Sequence, residues 1–186
     1  MLKKVKLLLL VSFLFNLSSC NEFQKVLKNE DIKVKYDMAE TYYENQEFRR
    51  ASRLFEQIKP KYRGKPQGER ITFFYANSLL NTRSYMLAAY EFESFAKAYP
   101  LSQKVEEANY LAAFAYYKVS PVHSLDQKQS NEAIEKLQEF INFYPNSEKM
   151  SEANDLVQEL RLKLEFKALK LPSNLTRLEI ISQLLL

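Results

Sequence analysis

Apolar positions recur along this chain with helical spacing, and they do so in three copies of one pattern. The clearest copies are Phe48-x-x-Ala51-x-x-x-Phe55 and Tyr85-x-x-Ala88-x-x-x-Phe92-x-x-Phe95, the second closing on Tyr99-Pro100. The third reads Ala133-x-x-x-Leu137-x-x-Phe140 and ends Tyr144-Pro145-Asn146-Ser147. Upstream of each copy a small residue is followed three positions later by a large one: Ala39 and Tyr42, Ala76 and Leu79, Ala113 and Tyr116. Small residues at these places let two antiparallel helices approach closely, while the large ones fill the gap to the next pair. The pattern predicts helices at about 31–45, 47–60, 67–82, 84–98, 103–119, 130–143 and 147–168.

Ala51, Ala88 and Ala133 lie 37 and 45 residues apart. That is close to the period of about 34 residues of a tetratricopeptide repeat, with short insertions. The expected fold is therefore all-α, a tetratricopeptide-like right-handed α-solenoid of antiparallel helix pairs. A repeat of this kind presents a long surface, and solenoids bind partners rather than transform them. Composition agrees: two glycines in 186 residues leave little for hairpins. Pro60, Pro66, Pro100, Pro121 and Pro145 fall at predicted element ends, where a missing N–H costs least. The longest connection, Ser120 to Gln129, reads as an insertion in the third repeat. One elongated repeat domain, 31–168, is expected, holding about three repeats and the start of a long helix.

Residues 1–19 have the build of an export signal. Lys3, Lys4 and Lys6 form a basic start, and Leu7 to Phe15 an apolar stretch too short to span a membrane as a helix. Leu17-Ser18-Ser19-Cys20 resembles the lipobox of bacterial lipoproteins, which implies diacylglyceryl transfer to the Cys20 thiol, cleavage before it and acylation of the new amine. Cys20 is the only cysteine, so no internal disulfide is available to it. Each buried acyl CH₂ contributes about 0.8 kcal/mol, so several chains would hold the mature protein at a membrane surface. Residues 20–30 are then the lipidated N-terminal segment, and Asn21 is compatible with sorting to the outer membrane. Removing 1–19 lowers the formal charge from +4 to +1. The remaining Lys and Arg alternate with Glu along helix faces, which gives no nucleic-acid footprint.

No catalytic constellation is visible. His123 is the sole histidine and has neither a cysteine nor a second histidine beside it, so no zinc site is expected, and the scattered serines have no base available beyond it. Gly64-Lys65-Pro66-Gln67-Gly68 lacks the spacing of a phosphate loop, and Glu106-Glu107 diverge on a helix. The chain reads as a binding module: no enzyme, no metal, no small-molecule substrate, and no cofactor beyond the lipid on Cys20.

Several segments carry a likeness to a known family: Lys35-Tyr36-Asp37-Met38-Ala39, Tyr42-Tyr43, Phe48-Arg49-Arg50-Ala51, Leu54-Phe55, Tyr99-Pro100-Leu101-Ser102, Ser120-Pro121, Leu125-Asp126-Gln127 and Tyr144-Pro145-Asn146-Ser147. Together with the lipobox, they resemble the BamD family, lipoproteins of the outer-membrane β-barrel assembly machinery, from Cys20 to about Ala168. The aromatic-rich, cysteine-poor composition looks like that of a Bacteroidetes member. The resemblance implies an adaptor on the periplasmic side of the outer membrane that works with a BamA-type barrel subunit and receives unfolded outer-membrane proteins. The other reading is a tetratricopeptide-bearing envelope lipoprotein that scaffolds cell-wall or division complexes of the Tol type.

In such repeats the first helix of each pair lines the concave face. By register the groove positions are Tyr36, Glu40 and Tyr43; Arg70, Phe73 and Asn77; Tyr110, Phe114 and Tyr117. Aromatic rings with a few polar groups suit an extended segment ending in an aromatic residue. The same register equally allows each tyrosine to be a packing residue between repeats.

After Ala168 the pattern breaks. Leu169-Lys170-Leu171-Pro172-Ser173-Asn174 puts a proline into a growing helix, at about 3 kcal/mol, and Leu175 to Leu186 follows no repeat register. A BamD-like chain should continue for roughly two more helix pairs. A one-base deletion accounts for the change: shifted by one nucleotide, the tail can read F-E-I-A-K-Q-F-N-T-I-R-D-Y-K-S-A-I-T, with the A-x-x-F and Y-x-x-A offsets of the earlier repeats. Residues 169–186 are expected to be an aberrant, frameshifted tail that truncates the BamA-docking repeats.

Overall fold

The computed structural model describes residues 22–120 and 127–168, with side chains given for 128–165 of the second stretch. The signal segment, Cys20, His123, Asp126 and the tail from Leu169 lie outside the described residues. The described residues are all-helical: α1 at 22–28, α2 (Ile32–Glu44), α3 (Phe48–Ile58), α4 (Pro66–Asn81), α5 (Tyr85–Ala98), α6 (Val105–Val119), α7 (Gln127–Phe143) and α8 (Met150–Ala168). A 3₁₀ turn, Lys59–Tyr62, follows α3. The helices group into two compact units, one ending at Arg83 and one beginning at Ser84.

The repeated alanines are where the helices close on each other. Ala39, Ala51, Ala76, Ala88 and Ala133 have no exposed surface, and Ala113 has almost none. Their large partners Phe55, Phe92, Phe95 and Leu137 are fully buried as well. In the first unit α2 packs on α3 and α3 on α4; in the second α5 packs on α6, α6 on α7 and α7 on α8. Each is an antiparallel neighbour of the tetratricopeptide-like kind that the spacing predicts.

Local chemistry explains the element ends. Asp31 caps α2, its carboxylate accepting from the Lys33 and Val34 amides at 2.8 and 3.3 Å. Pro66 opens α4, where its fixed φ suits the first helical position. The two Tyr-Pro-x-Ser motifs build one turn twice. Ser102 N donates to Tyr99 O, and Ser147 N to Tyr144 O, at 3.0 and 3.1 Å. Each serine hydroxyl then accepts from the amide two residues on, Lys104 or Lys149. The serines are thus spent on the turn, which is why α6 and α8 begin at Val105 and Met150 rather than at 103 and 147. The first turns repeat too: Lys104 pairs with Glu107 at 3.0 Å and Lys149 with Glu152 at 2.9 Å.

Two expectations are corrected. The connection after α6 is shorter than the sequence implies, because α7 begins at Gln127; Gln and Lys are good helix formers, and the Ser130 hydroxyl meets that of Ser120 at 2.7 Å. The stretch before residue 31 carries a helix. On α1, Phe23 and Val26 are three apart and buried, and the Phe23 ring meets Tyr42 edge-on at 5.7 Å. The Arg50 and Arg53 guanidiniums cover that ring at 5.7 and 5.9 Å. Seven residues are too few for a helix to be stable alone, so docking holds it.

Candidate functional site

On the first unit, side chains of α2 and α4 meet in one run. The Tyr36 hydroxyl donates to Glu40 Oε1 at 2.5 Å, and the same oxygen accepts from Arg70 Nε at 2.9 Å. The Arg70 guanidinium lies over the Phe74 ring at 5.0 Å, and Phe74 stacks on Tyr43. Tyr43 in turn meets Phe48 and Phe55 edge-on at 5.6 and 6.4 Å. At the other end Tyr36 packs on Tyr62 at 5.6 Å. Burial and the Glu40 carboxylate push the Tyr36 phenol up to about 12. The Arg70 side chain is 52% exposed while that of Glu40 is 19% exposed, so the pair presents a cation outward over a screened acid. A pair this open contributes at most about 1 kcal/mol, and its main effect is to hold the arginine in place.

The six groove positions assigned to this unit divide. Tyr36, Glu40, Tyr43 and Arg70 are joined in the run, and Asn77 is half-buried, its side-chain oxygen accepting from Asn81 at 2.8 Å. Phe73 is not on this face; it is 3% exposed and belongs to the core. Its place is taken by half-buried Phe74, which the register reading missed. Arg70, Phe74, Asn77 and Asn81 follow the alternating steps of four and three that define one helix stripe, and that stripe was legible.

On the second unit, α6 carries Tyr110, Phe114 and Tyr117 as a stack, with centroids 6.1 and 6.0 Å apart. Phe114 and Tyr117 are half-buried, with Lys118 over Phe114 at 4.8 Å and Lys163 over Tyr117 at 5.2 Å. The Tyr117 hydroxyl donates to Glu159 at 2.8 Å, and Glu159 also pairs with Lys163 at 2.7 Å. Burial and that carboxylate push the Tyr117 phenol up to about 12. Burial alone would raise the Glu159 carboxyl, but the Lys163 and Tyr117 hydrogen bonds outweigh it and hold the acid below its ordinary value. Tyr110 departs from its assigned place: it is 4% exposed and packs on Phe140 at 5.4 Å within the core of α6, α7 and α8. Its buried hydroxyl makes no hydrogen bond of full geometry, and burial with the nearby Glu152 carboxylate raises that phenol strongly. A ring so enclosed is a packing residue.

Among the described residues no three His, Cys, Asp or Glu side chains are gathered to hold a metal, and no helix is long and apolar enough to cross a membrane. Buried alanine seams with aromatic and charged outer faces define a helical-repeat protein. The chain belongs to the outer membrane lipoprotein family YfiO, a BamD-like family whose sequence pattern matches residues 28–171. No curated protein sequence matches the chain.

Proposed function

We propose that this protein is a lipid-anchored adaptor of outer-membrane β-barrel assembly, tethered through Cys20 on the periplasmic side, that binds unfolded outer-membrane proteins and cooperates with a BamA-type barrel subunit. The family match supports the assignment to the outer membrane, and the Tyr36–Glu40–Arg70–Phe74–Tyr43 run carries the client-binding reading. An exposed guanidinium fork beside stacked rings offers an extended chain both a carboxylate partner and flat apolar contact. The half-buried Phe114 and Tyr117 on α6 offer a second patch of the same chemistry. Because Arg70 is already oriented by Glu40, little side-chain freedom is lost when a ligand arrives.

The test is affinity for a peptide copied from the C-terminus of a β-barrel protein, measured with Tyr43→Ala combined with Arg70→Gln. A loss of tenfold or more, about 1.4 kcal/mol, is expected while helicity is retained. Unchanged affinity would remove this face from client binding. Capture from detergent-solubilised envelope should return a barrel subunit and barrel clients; recovery of Tol or cell-wall factors instead would favour the scaffold reading. For the anchor, Cys20→Ser should move the protein from the membrane to the soluble fraction and abolish fatty-acid labelling.

A further inference from the structure

We propose that the turn end of the first unit binds a carboxylate-bearing segment of a partner protein, in a cleft of about 440 Å³ beside the α2–α3 turn and the C-terminal end of α4. Gln46, Phe48, Arg49, Arg50, Asn81 and Arg83 line it. The cleft contains no residue of the Tyr36–Glu40–Arg70–Phe74–Tyr43 run, although its Phe48 touches Tyr43.

Backbone conformation points to it first. Gln46 and Arg83, at φ 60° and 64°, are the non-glycine residues with left-handed backbone among those described, and both line this cleft. They stand 37 residues apart, at matching points of successive repeats. A left-handed conformation costs a side-chain-bearing residue about 1–2 kcal/mol, which glycine avoids. Each is the left-handed residue that closes a helix end, Gln46 after α2 and Arg83 after α4, so the caps of successive repeats bring both side chains to one cleft.

Charge is the second, independent observation. Arg50 is neutralised by Glu47 at 2.5 Å. Arg49 and Arg83 are exposed, and their guanidiniums form no ion pair or hydrogen bond among the described residues. Neighbouring donors are already committed: the Thr82 hydroxyl to Ser78 O at 2.9 Å, and the Asn81 amide to Asn77 at 2.8 Å. The free charged donors are therefore two guanidinium forks, whose planar geometry matches a carboxylate bidentately, with the Gln46 amide beside them. Phe48 adds a half-buried ring to the wall, which favours an acidic peptide over a bare ion. The volume falls within the range of about 300–1,000 Å³ for clefts that enclose a small ligand.

The test uses the purified protein and a labelled, end-capped peptide Asp-Glu-Phe-Asp-Glu-Phe, with Asn-Gln-Phe-Asn-Gln-Phe as its uncharged analogue, followed by fluorescence anisotropy. Binding of the acidic peptide should be at least about tenfold tighter than that of the analogue and should weaken with salt. Arg49→Gln with Arg83→Gln should remove that preference, and Arg49→Lys with Arg83→Lys should retain part of it, since charge stays while the fork is lost. Arg70→Gln, a change on the client face that touches no residue of the cleft, should leave it intact, so that failure of the client face and failure of this cleft are told apart. Equal affinity for both peptides overturns the proposal, as does full binding by the folded Gln double variant. Complete displacement by equimolar inorganic phosphate, or preference for anionic phospholipid vesicles, would also overturn it, by assigning the cleft to phosphate.

Discussion

Phe74 lies flat against Tyr43, ring centroids 4.1 Å apart and planes 7° from parallel. One ring comes from α4 and the other from α2, the first helices of successive repeats, so the contact ties the two into a common face. Stacked aromatic pairs are worth about 0.5–1.5 kcal/mol beyond the area they bury. A double-mutant cycle of Tyr43→Leu and Phe74→Leu, read by urea unfolding, should return a coupling in that range. Additive single effects would show that the rings merely fill space.

Phe92 is fully buried beside Ala88 and Ala89 on α5, all three without exposed surface. Phe92→Ala should destabilise by about 3–5 kcal/mol through lost transfer energy and a residual cavity. Ala88→Leu, the opposite change, should cost about 1–3 kcal/mol by overpacking the seam. Thermal or urea melts of both variants check the pair; tolerance of Ala88→Leu would mean that the alanine seam is not a close helix contact.

Gly64 holds φ +78° between the 3₁₀ turn and α4, and a Cβ built on it meets nothing within 4 Å. The cost of Gly64→Ala is therefore one of backbone conformation alone, about 1 kcal/mol. Arg83→Gly should change stability the other way by a similar amount and weaken the acidic-peptide preference, whereas Arg83→Ala should weaken the preference without the stability gain.

Removing the Phe23 ring tests the docked N-terminal helix. Phe23→Ala should destabilise the first unit by about 1–3 kcal/mol and speed hydrogen exchange in residues 22–28, since Phe23 bridges Tyr42 and two guanidiniums.

Two pH effects follow from opposite signs. The Glu159 carboxyl is held below its ordinary 4.5 in the folded chain, so its contribution is complete above that value and is lost as pH falls through the folded one. Tyr36 is raised from 10.0 to about 12, so its contribution is complete below 10 and is lost as pH rises from there towards 12. Tyr36→Phe should make the alkaline limb of a melting-temperature profile shallower and leave the acid limb unchanged, whereas Glu159→Gln should make the acid limb shallower and also alter the alkaline one, because Glu159 helps to raise the Tyr117 phenol.

The helices were legible because their signals are local. Ala51, Ala88 and Ala133 announce a seam through spacing alone, and prolines and Tyr-Pro-x-Ser motifs mark where elements stop. Helix α1 was not legible: with Phe23 and Val26 as its only buried pair, it has too short a period to read, and it exists because Tyr42 and Arg50 lie where they do.

The sequence by itself determined an all-α repeat of alanine-seamed helix pairs behind a lipobox-like Cys20, because period, caps and targeting signals act between near neighbours in the chain. Tertiary structure decided which aromatic rings face outward. Phe73 and Phe74 are adjacent, of one residue type and in one helix, yet one is core and the other stacks on Tyr43 beside Arg70. Tyr110 and Tyr117 share α6, yet one is enclosed by Phe140 and the other donates to Glu159 across 42 residues of chain. The physical reason is the same in each case: a side chain's exposure is set by the helix packed against it, and that helix is distant in sequence.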